Sequence, residues 1–282
     1  MKERIACKLM AVVVAEIFIF NLSQIIATKI YYLLLSVIQL PQDELKIEFI
    51  TVFMSLIGFV VHIVLCVIYM RVIKPSSMSY FKFSGKELGI GLLAGLATNG
   101  FISLGAVFGT GMNFGFAHFT LLLIPVFLLV AIQCAAEEVL LRAFVPAFLE
   151  ENYAWDVIAF VSGVLFIFHH IGNMEYFGFD KYFCLNVFLV GVLEIMITRK
   201  THNIWWAVGF HTAWNFTQEY IFGLPNSGMS SPLAIFSTTN ARTNFFFNEV
   251  YGNEGSLLCT CVIVIIIIVV LLTDRRKNIN EN

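Results

Sequence analysis

An all-α membrane protein, a bundle of eight transmembrane helices, is the fold this sequence predicts, on three observations. Of the 282 residues, 59% are hydrophobic and only 13% charged, with a mean hydropathy of +0.85; soluble domains sit near 45–50% apolar and about 25% charged. Eight segments approach the roughly 20 mostly apolar residues that a spanning helix needs. The cations between them are asymmetric. Lys2, Arg4, Lys8, Arg71, Lys74, Lys82, Lys86, Arg142, Arg199, Lys200, Arg275, Arg276 and Lys277 fall on one side, while Lys46, Lys181 and Arg242 fall on the other, with Lys29 inside the first span. An excess of Lys and Arg marks cytoplasmic loops, so both termini are expected in the cytoplasm. The lipid bilayer is the expected surrounding, and no nucleic-acid partner is expected. No internal repeat or second domain is visible, and residues 1–282 read as one integral-membrane domain.

The first span, 9–40, follows a basic N-terminus without a small-residue cleavage site, so it is expected to stay uncleaved. It holds Glu16 and Lys29, thirteen residues or about 20 Å apart along a helix, too far to pair directly; Glu16 is expected to snorkel or to meet another helix. His62 in the second span, 49–72, is expected to be a hydrogen-bonded structural histidine. The link 71–87 is basic and aromatic, which suits an interface with anionic headgroups. The third span, 88–108, carries Gly89, Gly91, Gly95, Gly100 and Gly105. Small residues permit close helix approach, so this span is expected inside the bundle. The fifth and sixth spans, 155–171 and 183–198, are short; the seventh and eighth run over 204–223 and 256–273. Loop 224–255 is the longest connection, either a cap on the outer end of the bundle or a disordered connector. The six cysteines lie scattered in apolar runs without zinc-ligand spacing and are read as small buried hydrophobes.

The fourth span, 119–150, departs from this pattern. Glu137, Glu138 and Arg142 stand in its middle, at a cost of roughly 2.5–3.5 kcal/mol each on insertion scales. Glu138 and Arg142 are spaced i, i+4 and can neutralise one another. Glu137 points about 100° away and has no such partner. Two later spans supply groups that could meet it. The fifth ends in Phe166-Ile167-Phe168-His169-His170, and the seventh places His211 and Asn215 on one helical face with Glu219 one turn further. The fourth and fifth spans form a hairpin about the polar turn at 150–153, which puts Glu137 and His170 at equal height, about 25 Å from the turn. His211 lies only about 12 Å into its span, so the heights match only if the hairpin projects roughly 10 Å past the cytoplasmic surface.

A carboxylate and an imidazole in a low-dielectric cavity can hold and deprotonate water. A second histidine and an asparagine can stabilise the oxyanion of a tetrahedral intermediate. Together these describe hydrolysis of a carbonyl, most simply a peptide bond, with water as nucleophile, since no Ser or Cys nucleophile motif adjoins the histidines. No cofactor is favoured. The alternative is zinc held by Glu137, His170 and His211, although the spacing is not His-Glu-x-x-His and Asn215 is a poor zinc ligand.

Glu137-Glu138-x-x-x-Arg142, Phe166-x-x-x-His170 and His211-x-x-x-Asn215, in this order on three spans, resemble the three signature motifs of the CAAX protease and bacteriocin-processing (Abi) family of intramembrane endopeptidases. The resemblance covers about 119–260 and includes Gly209–Phe216 and the Gly-Leu-Pro-x-Ser-Gly run at 223–228; the spans in 1–110 add only hydrophobicity. It implies an eight-helix protease whose cavity opens to the cytosol, with Glu137 and His170 activating water and His211 and Asn215 forming the oxyanion site. Glu138, Arg142 and Phe166 would shape the site or hold substrate, and His169 would support it at most. The implied partner is a membrane-associated protein or peptide of the prenylated-protein, bacteriocin or pheromone type, and the plasma membrane of a bacterium is the expected location. Two other readings compete: a non-catalytic immunity or scaffold protein, and a proton-coupled transporter, for which intramembrane Glu and His also serve but which inverted repeats would be expected to accompany.

Overall fold

The computed structural model describes residues 2–36 and 44–280; the far end of the expected first span, 37–40, lies outside them. The described chain is mostly helical. Two long helices open it, α1 (Lys2–Leu35) and α2 (Glu44–Ile73), followed by a 3-10 turn (Pro75–Phe81) and α3 (Gly85–Thr110). The catalytically suggestive span is α4 (Leu123–Glu138), a π turn (Val139–Phe144) and α5 (Val145–Leu149). Then come α6 (Trp155–His169), α7 (Ile171–Phe177), α8 (Lys181–Thr201), α9 (Trp205–Asn215) with a second π turn (Phe216–Ile221), and α10 (Leu257–Asn280). Local chemistry sets several of these boundaries. Ser84 caps α3 by accepting from Glu87 N, Asp180 caps α8 by accepting from Phe183 N, and Gly111 ends α3 at φ +67°.

The protein is an integral membrane protein by the length and apolarity of its helices, but the described structure does not display eight equal spans. Five helices are long and apolar enough to cross a membrane, and six if α6 and α7, bent by 41° at their junction, count as one. The difference lies at the seventh and eighth segments. α9 is only 11 residues before its π turn and carries His211 and Asn215, while the apolar part of α10 is limited to Leu257–Thr273.

The tightest helix pair is α3 on α9, and glycine explains it. A Cβ on Gly91 would stand 2.1 Å from the Trp206 carbonyl oxygen, one on Gly95 2.3 Å from that of Phe210, and one on Gly209 2.4 Å from that of Leu88. The two backbones touch, as small residues allow. α3 is nevertheless not interior: Leu93, Leu96, Phe101, Leu104 and Phe108 on its other face are exposed. A glycine stripe requires one close neighbour, not burial on all sides.

Residues 224–255 form a folded cap. β2 (Phe236–Thr239) pairs antiparallel with β1 (Asn113–Phe116), Tyr251 stacks on Phe183 with ring centroids 4.0 Å apart, and Phe247 and Tyr251 are buried. A buried amide network fastens the cap to α3 and to the second π turn. Asn99 Nδ2 donates to Gln218 Oε1 at 2.9 Å, Asn253 Nδ2 to Ser103 Oγ at 2.7 Å, and Gln218 Nε2 to the Pro225 carbonyl at 2.5 Å. Cys66, Cys134 and Cys259 are buried as expected, whereas Cys7 and Cys261 are exposed; all six thiols are free.

Candidate active site

The polar residues of the fourth span divide into two environments one residue apart. Glu138 turns into the protein and is fully buried. Its Oε1 lies 2.9 Å from His211 Nδ1, its Oε2 3.1 Å from Arg142 Nε, and the Arg142 guanidinium reaches on to Glu194 of α8. Phe166 holds this cluster together sterically. Its ring lies under Arg142 at 4.6 Å and meets His170 and His211 edge-on at 5.0 and 5.7 Å.

Glu137 turns the other way, into a cavity of about 470 Å³ that His170, His211, Asn215 and Phe166 also line. Its Oε2 is buried without a hydrogen-bond partner among the described residues. His170 Nδ1 lies 2.9 Å from the Phe166 carbonyl oxygen. A carbonyl only accepts, so Nδ1 carries the proton, and in the neutral ring Nε2 is a free acceptor. Among the described residues Asn215 makes one long side-chain contact, 3.6 Å from Nδ2 to Cys134 Sγ, and its carboxamide lines the cavity. The structure therefore brings Glu137, His170, His211 and Asn215 together, and separates Glu138 and Arg142 from them by placing both behind His211.

Each half of this arrangement ends in a π turn: Val139–Phe144 begins directly after Glu138, and Phe216–Ile221 directly after Asn215. A π turn inserts an extra residue into a helix and is frequent at functional sites, because it frees the residues before it to face one neighbour while those after it keep packing on another. The freed Leu141 carbonyl accepts from Ser162 Oγ at 3.2 Å.

Other residues of the site carried weak sequence signals. Glu194, a lone acid in the sixth span, completes the Arg142 cluster; an unexplained charge in an apolar run was its signal. Glu254 in the cap lines the cavity. Its Oε2 accepts from Ser227 N and Oγ at 2.7 and 2.9 Å, and its Oε1 from Trp214 Nε1 at 3.3 Å. Burial pushes the Glu254 carboxyl up, against the opposing pull of His170 and the Ser227 hydrogen bonds. Glu16 meets another helix, one of its two expectations: Oε1 lies 2.5 Å from Nε2 of His169, which lines the cavity, and that ring stacks on Phe20 at 4.4 Å. His62 lines the same cavity, with Nδ1 3.4 Å from Ser23 Oγ.

Residues 120–217 match the protein family described as type II CAAX prenyl endopeptidase, Rce1-like. That segment is similar to the CAAX-protease family. No curated protein and no solved structure matches the chain. The endopeptidase-like domain spans Glu137, Glu138, Arg142, Phe166, His170, Glu194, His211 and Asn215, whereas Glu16, His62 and the cap lie outside it. The match supports intramembrane protease activity in general, on a membrane-associated protein or peptide.

A metal set drawn from Glu137, His170 and His211 does not gather. Among the described residues, the three-residue set with ligand atoms within 4.8 Å of one another is Glu138, Glu194 and His211. That set does not suit a cation either, because the Arg142 guanidinium already bonds both carboxylates. The zinc alternative thus finds its three expected ligands apart and its nearest substitute set filled by an arginine.

Proposed function

We propose that this protein is an intramembrane endopeptidase in which Glu137 and His170 activate water without a metal, and His211 and Asn215 bind the oxyanion. The observation that carries the reading is the shared cavity: four polar side chains, from α4, the α6–α7 junction and α9, line it, and Glu137 has an unengaged carboxylate oxygen there. The steps follow from the donors and acceptors. A water hydrogen-bonded to Glu137 and to His170 Nε2 gives up a proton as its oxygen attacks the carbonyl carbon. The oxyanion accepts from His211 Nε2–H and Asn215 Nδ2. The tetrahedral intermediate collapses, the C–N bond breaks, and the held proton passes to the departing amine. For His211 to donate from Nε2 while its Nδ1 faces Glu138 Oε1 at 2.9 Å, the ring carries both protons, and the adjacent carboxylate is the group that holds the second one there.

The remaining parts of the reading rest on the sequence: eight spans, both termini cytoplasmic by the distribution of Lys and Arg, and a bacterial plasma membrane. The substrate is a membrane-associated peptide of the prenylated-protein, bacteriocin or pheromone type. The test uses purified protein in liposomes and a quenched-fluorescent farnesylated peptide with a C-terminal CAAX sequence, beside an unprenylated bacteriocin-like peptide. Glu137→Gln should lower kcat at least 10³-fold, the loss of a general base and more, with the thermal transition of the folded protein unchanged, and cleavage should survive chelation. Cleavage undiminished in Glu137→Gln would sink the hydrolase and leave the non-catalytic membrane module; activity lost to chelators and restored by zinc would overturn the metal-free mechanism.

A further inference from the structure

The cap inserts a tight turn into the catalytic cavity, and one residue of that turn has no structural employment. Asn226 and Met229 exchange both main-chain hydrogen bonds, N to O at 2.8 and 2.9 Å. The two residues between them are left-handed, Ser227 at φ +50° and Gly228 at φ +91°, the conformation of a two-residue hairpin tip. The tip is fixed on every side. Ser227 N and Oγ donate to Glu254, the Ser227 carbonyl accepts from Asn173 Nδ2 at 2.6 Å, and Phe177 packs so closely on Gly228 that a Cβ there would lie 2.4 Å from its ring.

The cavity's amides on this side differ in what they do. Asn173 Nδ2 holds the turn. Asn186 is saturated: Nδ2 donates to the carbonyls of Glu254 and Ser256, and Oδ1 accepts from Thr260 Oγ1. The Asn226 carboxamide makes no side-chain hydrogen bond among the described residues, although the residue is only 8% exposed, lines the cavity, and has its Oδ1 buried. Buried polar atoms in native structures are nearly always partnered, so a carboxamide held rigidly and left unpaired is suited to a guest. It offers an acceptor and a donor side by side, the complement of the N–H and C=O of a peptide main chain. Met229, 56% exposed at the other leg of the turn, gives an apolar contact next to it.

We propose that the Asn226 turn is a peptide-binding subsite, in which the Asn226 carboxamide hydrogen-bonds the main chain of the bound substrate close to the scissile bond. The inference rests on the endopeptidase reading and deepens it: chemistry sits in the 120–217 domain, and part of substrate recognition sits on the cap outside it. A buried water as the partner of Asn226 is the competing explanation.

The experiment uses the full-length protein in liposomes and the farnesylated CAAX peptide, together with a series in which each peptide nitrogen in turn is N-methylated. Asn226→Ala, which loses both donor and acceptor, should raise KM about tenfold or more with kcat nearly unchanged, and Asn226→Asp, which loses only the donor and keeps the acceptor that a peptide N–H reaches, should raise it by less. One N-methylated peptide should be bound about tenfold less well by the unaltered protein and no less well by Asn226→Ala, because both changes delete the same bond. Unchanged KM in both variants, or equal N-methyl penalties in variant and unaltered protein, would assign Asn226 to a water and overturn the subsite. If the unaltered protein cleaves no peptide, the endopeptidase reading itself falls and takes the subsite with it.

Discussion

Two carboxylate–imidazole pairs lie close to the candidate cavity, and they are built on opposite principles. Glu138 and His211 are 2.9 Å apart, and Glu138 also faces Arg142, which in turn holds Glu194. Glu16 and His169 are 2.5 Å apart, and the second oxygen of Glu16 has no hydrogen-bond partner among the described residues. The first pair belongs to a cluster in which every charge is offset by another and none can be removed alone. The second is one hydrogen bond between helices, joining α1, outside the endopeptidase-like segment, to the residue beside His170. Burial is complete or nearly so at both; what differs is how many partners depend on each group.

Removing single members tests this difference, and Arg142→Met should have the largest effect. It leaves Glu194 buried without its guanidinium partner and Glu138 with His211 alone, a loss of about 3–5 kcal/mol, read as failure to fold or as a fall of the denaturation midpoint in detergent. Adding Glu194→Leu should recover part of that loss; no recovery would show that Arg142 acts by packing over Phe166 and not by charge. Glu16→Ala comes next, at about 1–3 kcal/mol, the cost of leaving His169 buried with one partner fewer. Smallest is Glu16→Gln, expected within about 1 kcal/mol because the amide can still hydrogen-bond His169. Glu138→Gln should cost clearly more than Glu16→Gln in the same measurement, since Arg142 then loses one of two carboxylates. Equal costs for the two glutamine variants would abolish the distinction between cluster and single bond.

The parts of the site that could be read in the sequence were those where local chemistry is expensive. Glu137, Glu138 and Arg142 stand out because ionisable groups in an apolar run demand a reason, and His170 in the fifth span and His211 with Asn215 at i, i+4 in the seventh stand out as polar groups that could meet them. Glu194 stands in an equally apolar run, but its partner is 52 residues away and no spacing rule reaches it. Asn226 and Glu254 were less visible still, since polar residues in a long loop are ordinary and only the fold of the cap turns them inward. Gly91 and Gly95 showed that some helix would approach closely, though not that it would be α9, nor that the opposite face of α3 would stay exposed.

The sequence by itself determined that the chain is a helical membrane protein and where ionisable groups stand inside its apolar runs, because apolar run length and the cost of buried charge are local properties of a chain in lipid. Tertiary structure alone decided which of two adjacent glutamates faces the cavity, where the two helices widen into π turns, and that the cap reaches the site. Those outcomes depend on which partners lie across a helix interface, and a side chain's partners there come from parts of the chain far apart in sequence.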